Sequence, residues 1–176
     1  ALDEAQNKVN GATIVYQDLD DATAAKGAWD AAKEAENANQ ALNDPDVMVY
    51  IGTFNSGAAK VSIPILCKAN LAMVSPANTY PGLTKKIEGA VEANEPGVYY
   101  DGCKPNYTRV VPSDEIQGAA AANWAKQVGA TKAYILDDTE LYGHGLAVVF
   151  ANTAPKVGLT VVGGPEGIDS KASDYR

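Results

Sequence analysis

Hydroxyl and amide side chains follow two short apolar runs, each at the point where a strand is predicted to end. In one case Ser75, Ala77, Asn78 and Thr79 come directly after the apolar residues 71–74. Prolines within and just beyond this segment hold the chain extended and keep backbone groups out of sheet ladders. Open α/β sheets bind ligands beyond the carboxyl ends of their strands, so the segment is predicted to be a binding loop.

A second loop of the same kind follows the apolar residues 47–51. It contains Gly52, and Ser56 and Gly57 then open a predicted helix. Ser56 could simply cap that helix. Its hydroxyl and the first helical amides could equally hold an anion, because the amino terminus of a helix attracts negative charge. Side by side, the two loops predict a pocket for a small anion.

A tyrosine marks a third candidate segment, residues 137–145. Tyr142 precedes Gly143 and Gly145, and these glycines allow a tight turn into the next predicted helix. The tyrosine could pack its ring at the start of the helix, or it could reach a ligand with an apolar face and one polar tip. The two glycines do not form a dinucleotide-binding motif, because Val148 stands where the third glycine is required.

Residues 52–57, 75–79 and 137–145 together resemble one family, the extracytoplasmic binding proteins of ABC importers for branched-chain amino acids, the type I two-lobed group. The resemblance implies an α/β fold with a doubly wound parallel sheet in each of two lobes. It also implies a passive function, in which the lobes close on a small amino acid, expected to be aliphatic, and deliver it to ABC permease subunits. The implied location is periplasmic or extracellular, with a lipid anchor left open.

The resemblance also implies a role for each candidate residue. Ser56 and Thr79 would hold the ligand carboxylate, the backbone carbonyl of Ala77 would accept from the ammonium group, and Tyr142 would reach across from the second lobe. Asn78 stands where prototypes of the family often have alanine, so its amide would add a hydrogen bond or narrow the pocket. The acidic residue that holds the ammonium group in this family is expected to lie outside these 176 residues.

Charge and composition limit the partners. The net charge of −8 argues against nucleic acid and anionic lipid, and it favours a monomer that is kept apart from its copies by repulsion. Two cysteines and one histidine exclude most metal schemes, and no cofactor is predicted. Cys67 and Cys103 are either buried thiols or a disulfide, and the extracytoplasmic resemblance makes us expect the disulfide.

Two other functions remain open at this stage. A ligand-sensing domain of a receptor would share the fold and would need a signalling segment outside this chain. A hydrolase or phosphotransfer enzyme would need a nucleophile with its base, and the sequence contains neither Gly-x-Ser-x-Gly nor a P-loop. His144 is expected to be exposed, and Asp137 and Asp138 lack a partnering lysine motif, so we predict that the protein is not an enzyme.

The hydrophobic spacing at the amino terminus predicts a helix over residues 2–10 and a strand over 12–16. Asp20 and Asp21 are expected to cap a long alanine-rich helix that turns Trp29 inward. Because no strand precedes the first helix, we expect the chain to begin inside a larger domain.

Further along, the helix that starts near Ser56 is expected to stop at Pro64, and the helix after Ser113 is expected to bury a stripe that includes Trp124. Residues 81–106 are expected to be irregular. We predict a first lobe over residues 1–112 and the start of a second lobe over 113–176, both incomplete. Other predicted strands cover 47–51, 71–74, 107–111, 132–136 and 159–162, and a last helix covers 143–155, followed by a tail without a complete element.

Overall fold

The computed structural model describes residues 2–169, 171, 172 and 174. Two parallel sheets carry helices, which confirms the α/β class and the parallel strands that the alternating pattern predicted. The first sheet contains the two predicted binding loops, and the second contains the strand that leads to Tyr142.

Two small antiparallel hairpins form the amino-terminal part. They are β1 (Lys8–Val9) with β2 (Ala12–Thr13), and β3 (Ala22–Thr23) with β4 (Ala28–Trp29). The predicted helix over residues 2–10 is therefore wrong, and the predicted strand over 12–16 is only two residues long. Gln6, Asn7 and Asn10 have φ values of 52°, 53° and 50°, which a right-handed helix cannot contain.

The first helix, α1 (Ala31–Asn43), begins ten residues after the predicted cap. Asp30, rather than Asp20 or Asp21, accepts hydrogen bonds from the amides of the first turn, at 2.8 and 3.2 Å. Gly27, with φ 61°, reverses the chain between β3 and β4, so a helix cannot run through this region.

The first sheet has the order β5 (Val49–Ile51), β6 (Ala72–Ser75) and β7 (Tyr107–Arg109), all parallel. Tyr50, Met73 and Tyr107 pair across it and point into a core with α2 (Ser56–Lys68). These strands confirm the predicted ones to within two residues. Only one face of β5 is buried, because Val49 and Ile51 are 43% and 65% exposed.

Helix α2 continues through Pro64, so the predicted stop there was wrong. A proline inside a helix costs about 3 kcal/mol. Ile63, Leu66 and Cys67 are fully buried in the second half of the helix, and burial of each such side chain contributes about 1.5–3 kcal/mol. The core therefore outweighs the local cost of the proline.

A disulfide joins Cys67 to Cys103, with 5.8 Å between their Cα atoms, as the family resemblance led us to expect. It fastens the segment of residues 81–106 to the end of α2. That segment is irregular, as predicted, apart from 3₁₀ turns at Pro81–Leu83 and Gly97–Tyr100.

The second sheet pairs β8 (Lys132–Asp137) with β9 (Thr160–Gly167) in parallel. Helices α3 (Asp114–Gln127) and α4 (Leu141–Thr153) pack on each other beside it, around Leu159. The predicted strand over residues 159–162 continues to Gly167, so the tail does contain the rest of an element.

The outward face of α3 contradicts the predicted burial. Ile116, Trp124 and Val128 are 60%, 66% and 64% exposed. The helix packs on α4 through Gly118 instead, where a Cβ would lie 2.7 Å from Cγ1 of Val149. Small residues let two helices approach closely. Gly118 therefore determines which face of α3 packs against α4, and the apolar stripe stays exposed.

Loss of the disulfide should destabilise the protein. The closed loop spans 36 residues, and in the chain-entropy model such a link contributes about 3–4 kcal/mol. Replacing Cys67 by alanine and Cys103 by serine together should lower the free energy of unfolding by most of this amount in denaturant titrations. An unchanged midpoint with an unchanged slope would contradict the prediction.

Glu34 should make stability depend on pH. It is 1% exposed and accepts from the Tyr50 hydroxyl at 3.0 Å. Burial raises its pKa to about 7, while hydrogen bonds from Ser62 and Tyr50 oppose that rise and the charge of Asp21 adds to it. The folded state holds a proton that the unfolded chain releases near pH 4.5.

The contribution of Glu34 to the free energy of unfolding should therefore be greatest below pH 4.5. It should fall by on the order of 2–3 kcal/mol as the pH rises to 7. Glu34→Gln should flatten this fall in unfolding titrations between pH 4.5 and 8. Glu36→Gln, at an exposed position of the same helix, is the matched control and should retain it.

Candidate functional site

The side chain of Asn78 connects the loop after β6 to the loop after β5 and to the first residue of β7. Its Nδ2 donates to the backbone carbonyls of Thr53 and Phe54, at 2.9 and 3.0 Å, just beyond β5. The Tyr107 hydroxyl on β7 donates to its Oδ1 at 3.1 Å. The amide is fully buried and engaged within the protein. It therefore positions the loop, and a ligand contact by Asn78 stays a prediction.

The last residue of β6 shapes the same loop. The Ser75 hydroxyl is buried, donates to the Thr53 carbonyl at 2.9 Å and accepts from the amides of Ala77 and Asn78, at 3.1 and 2.8 Å. A hydroxyl that binds amides two and three residues later stabilises a tight turn. The turn brings half-buried Ala77 to the carboxyl edge of the sheet.

Ser56 is the first residue of α2 and lies beside this turn. It is 2% exposed, and its hydroxyl accepts from the Tyr80 amide at 3.3 Å. Asn55, rather than Ser56, is the cap of the helix, so the Ser56 hydroxyl is not used as the cap. The two predicted binding loops are thus in direct contact.

Tyr80 extends this contact to the second sheet. A Cβ on Gly145 in α4 would lie 2.7 Å from the Tyr80 ring, so the glycine permits the ring to sit against that helix. The Tyr80 hydroxyl donates to Glu95 at 2.7 Å. Burial would raise the pKa of Glu95, but hydrogen bonds from Tyr99 and Tyr80 and the charge of Lys60 hold it below its usual value. The Glu95 carboxylate thus holds the loop in place through the Tyr80 side chain.

Thr79 meets the amino terminus of α3. Its carbonyl accepts from the Asp114 amide at 2.9 Å. The Asp114 side chain is fully buried, yet neither of its carboxylate oxygens has a hydrogen-bond partner of normal geometry, and the same holds for the buried Thr79 hydroxyl. Burial raises the pKa of Asp114 to about 6, while the nearby Thr79 hydroxyl and Arg109 lower it and Glu115 raises it further.

Tyr142 lies in the first turn of α4 and is 40% exposed. Its hydroxyl accepts from Gln117 Nε2 at 3.1 Å, one turn after Asp114 on α3. Gln117 and Asp114 share the first turns of α3, and the Asp114 amide donates to the Thr79 carbonyl. A direct contact of Tyr142 with a ligand stays a prediction.

Trp29 makes a second contact between the helices of the two sheets. Its indole Nε1 donates to Glu140, the cap residue of α4, at 3.1 Å. Its ring covers Gly57, where a Cβ would lie 2.6 Å from the ring. The residue beside Ser56 must be glycine for this packing. Trp29 was predicted to be a core residue on a helical face, whereas it bridges the helix starts of both sheets.

His144 and Asp137 lie at the carboxyl edge of the second sheet, where a catalytic or metal site would be the alternative to a binding site. The ring of His144 is 58% exposed, as predicted, and its Nδ1 lies 3.1 Å from Asp137 Oδ2. Among the described residues, no group of three or more acidic, histidine or cysteine side chains could hold a metal ion. Within the same part of the chain, no helix is long and apolar enough to cross a membrane.

Two open surface hollows, of about 520 and 480 Å³, lie at the opposite edge of the first sheet. They are near the disulfide and the starts of β6 and β7. Most of their lining residues are exposed, so the two loops at the carboxyl edge are the better candidate site.

Sequence reasoning gave no role to Asp114, Gln117, Tyr80 or Arg109, which the structure places around the two loops. Asp114 follows Ser113 at a predicted helix start, where an acidic residue is ordinary. Its burial arises from the loop that carries Thr79, which is distant in sequence. The segment 112–114 offered one usable signal, since it follows a strand end just as the two predicted loops do.

The structure resembles solved binding proteins of ABC transporters. A leucine binding protein, LivK, from Thermotoga maritima is 25% identical, with a TM-score of 0.75 over 97% of this chain and 42% of that one. An ABC transporter substrate-binding protein from Desulfitobacterium hafniense, solved with Leu, is 26% identical, with a TM-score of 0.68 over 92% and 42%. A solute binding protein from R. palustris in complex with 4-hydroxybenzoate shares the fold at 22% identity, with a TM-score of 0.72 over 98% and 41%.

The chain thus spans about two fifths of the length of these structures. No curated protein matches it with significance. The profile of the periplasmic binding protein family matches residues 1–175, which is nearly the whole chain. Family profile, type I fold and the placement of the loops agree, and the chain belongs to the periplasmic binding protein family.

Proposed function

We propose that the protein is the solute-binding component of an ABC importer and that it binds a small carboxylate at the junction of its two sheets. The carrying observation is the direct contact between the two loops, made by the Ser56 hydroxyl and the Tyr80 amide beside the start of α2. Helix amides and hydroxyls at such an edge favour an anion. The related structures bind Leu and 4-hydroxybenzoate, and both ligands carry a carboxylate.

Within this class we propose an aliphatic amino acid as the ligand. Ser56 and Thr79 hold its carboxylate, the Ala77 carbonyl accepts from its ammonium group, and Tyr142 closes over it. The boundary between the lobes lies near residue 112, between β7 and α3. The ligand passes to permease subunits, the protein acts as a monomer, and it works outside the cytoplasm, as the family does; an attached lipid remains part of the proposal.

A receptor domain that senses a ligand is the second candidate, because the same fold and crevice would serve it. The two functions differ in the fate of the bound solute. Uptake of that solute by cells that carry the partner permease would favour transport, and the absence of uptake with intact binding would favour sensing.

Ser56→Ala and Thr79→Val should each weaken ligand binding about ten- to a hundredfold in the full-length protein. Each change removes one hydrogen bond to a charged group, which is worth about 1.5–3 kcal/mol. Isothermal calorimetry with amino acids and aromatic acids measures the loss. Ser62→Ala is the matched control, since Ser62 lies buried in the same helix and its hydroxyl interacts with the Ala58 carbonyl and with Glu34. Equal affinity in all four proteins would place the pocket elsewhere.

Gln117→Ala should raise the dissociation rate of the ligand several-fold and leave the association rate nearly unchanged. The amide of Gln117 holds the Tyr142 hydroxyl at 3.1 Å, and the proposed role of Tyr142 is to close over the ligand. Stopped-flow measurements on Gln117→Ala, Tyr142→Phe and the double variant test this. Additive effects of the two changes would contradict the coupling.

A further inference from the structure

The position of Trp29 is fixed by the hairpin before it and by the helix after it. Trp29 ends β4 and pairs with Ala22 of β3. The next residue, Asp30, caps α1 and forms an ion pair of 2.8 Å with Lys26 in the turn of the hairpin. Because both flanks are tied down, the indole points from a defined place on the side of the first sheet.

The indole reaches the starts of two helices that belong to different sheets. Its ring lies on the first turn of α2, where a Cβ on Gly57 would be 2.6 Å away. Its Nε1 donates at 3.1 Å to Glu140, which directly precedes α4. Ser56 comes one residue before Gly57, and Tyr142 follows two residues after Glu140. One side chain therefore sets the spacing between the proposed binding residues on the two sides.

The Glu140 side chain is directed across this junction and away from its own helix. Glu140 occupies the cap position of α4, yet its carboxylate makes no capping hydrogen bond to the described amides of that helix. At the cap of α1, by contrast, Asp30 accepts from two amides of the first turn. Glutamate is not among the preferred cap residues, and its longer side chain reaches Trp29 instead. A hydrogen bond to a carboxylate is charge-assisted.

A second contact ties the same hairpin to the second sheet. The ammonium group of Lys171, which follows β9, donates to the Lys26 carbonyl in the turn between β3 and β4. Lys26, Lys171 and Glu140 are exposed, and Trp29 is half-buried. Water can replace these hydrogen bonds when they break, so the contacts can open without leaving buried polar groups unpaired.

We propose that Trp29 is a positioning residue that latches the start of α4 onto the start of α2 when the lobes close, and that it thereby slows solute release. This inference rests on the proposed function, in which Ser56 and Tyr142 hold the solute from two sides. Trp29 is fixed to α1 and α2, whereas Glu140 belongs to α4. Opening by hinge motion must therefore break their hydrogen bond before the solute can leave.

Release and entry rates separate this role from a general loss of affinity. Trp29→Phe keeps a ring over Gly57 and removes the donor, and Glu140→Ala removes the acceptor. In stopped-flow measurements on the full-length protein with L-leucine, each change should raise the dissociation rate about three- to tenfold and leave the association rate nearly unchanged. The double variant should release no faster than the single ones, because all three lack the same hydrogen bond. Glu140→Gln keeps an acceptor oxygen and should retain most of the slow release.

A matched variant and a stability measurement exclude misfolding as the cause. Glu166→Ala removes another exposed carboxylate that bonds an aromatic side chain, but its partner, Tyr134, lies in the same sheet. This variant should release the solute at the rate of the wild type. Ligand-free Trp29→Phe and Glu140→Ala should unfold at the temperature of the wild type, since the latch is open in that state.

Tryptophan emission reports the latch directly. Trp124, the other tryptophan of this chain, is 66% exposed on the outer face of α3. Binding of L-leucine should change the emission of Trp29, because closure brings its indole against the Glu140 carboxylate. The change should persist in Trp124→Phe, diminish in Glu140→Ala and disappear in Trp29→Phe.

Three results would overturn the inference and leave the proposed function intact. They are a dissociation rate that Trp29→Phe and Glu140→Ala do not alter, additive effects in the double variant, and an emission change that persists in full in Trp29→Phe. If L-leucine is not bound, 4-hydroxybenzoate is the probe, and the same measurements decide. Failure of every carboxylate to bind would overturn the proposed function as well.

Discussion

The hydrogen bonds of the buried Asn78 amide are the interaction on which the arrangement of the two binding loops depends. It bonds the carbonyls beyond β5 and accepts from Tyr107 on β7, while its own backbone lies in the turn that follows β6. Three chain segments far apart in sequence are therefore fixed relative to each other by one side chain. Because a buried amide left half-paired costs about 1–3 kcal/mol, the turn has one favoured position. The position of Thr79 depends on this turn because Thr79 directly follows Asn78. Ser56 is linked to the same turn through the Tyr80 amide.

The junction between the two sheets combines ring contacts, hydrogen bonds and an apolar contact. Tyr80 sits against Gly145, Trp29 bridges Gly57 and Glu140, and Leu141 packs against the core of the first sheet. Glycines at these points let rings approach the backbone of a helix.

Glu34 and Asp114 are both buried carboxyl groups, and burial raises the pKa of each. The Tyr50 hydroxyl donates to Glu34 at 3.0 Å, whereas Asp114 lies beside the Thr79 hydroxyl without a hydrogen bond of normal geometry. Both groups are almost fully removed from water, so the difference between them lies in their hydrogen-bond partners.

The sequence by itself determined the α/β class, the central strands and the two loops, because hydrophobic period and strand-end hydroxyls are local signals. The cysteine count left two thiols or a disulfide open, and the tertiary structure joins Cys67 to Cys103. Sequence reasoning failed where neighbours distant in sequence decide the outcome. The stripe on α3 that includes Trp124 is apolar, yet Gly118 allows the closer approach to α4 and so sets the buried face. Pro64 should break α2, yet the core retains the helix. Only the tertiary structure placed Asp114 against Thr79. Burial depends on where a loop distant in sequence folds, and the type of a residue does not indicate this.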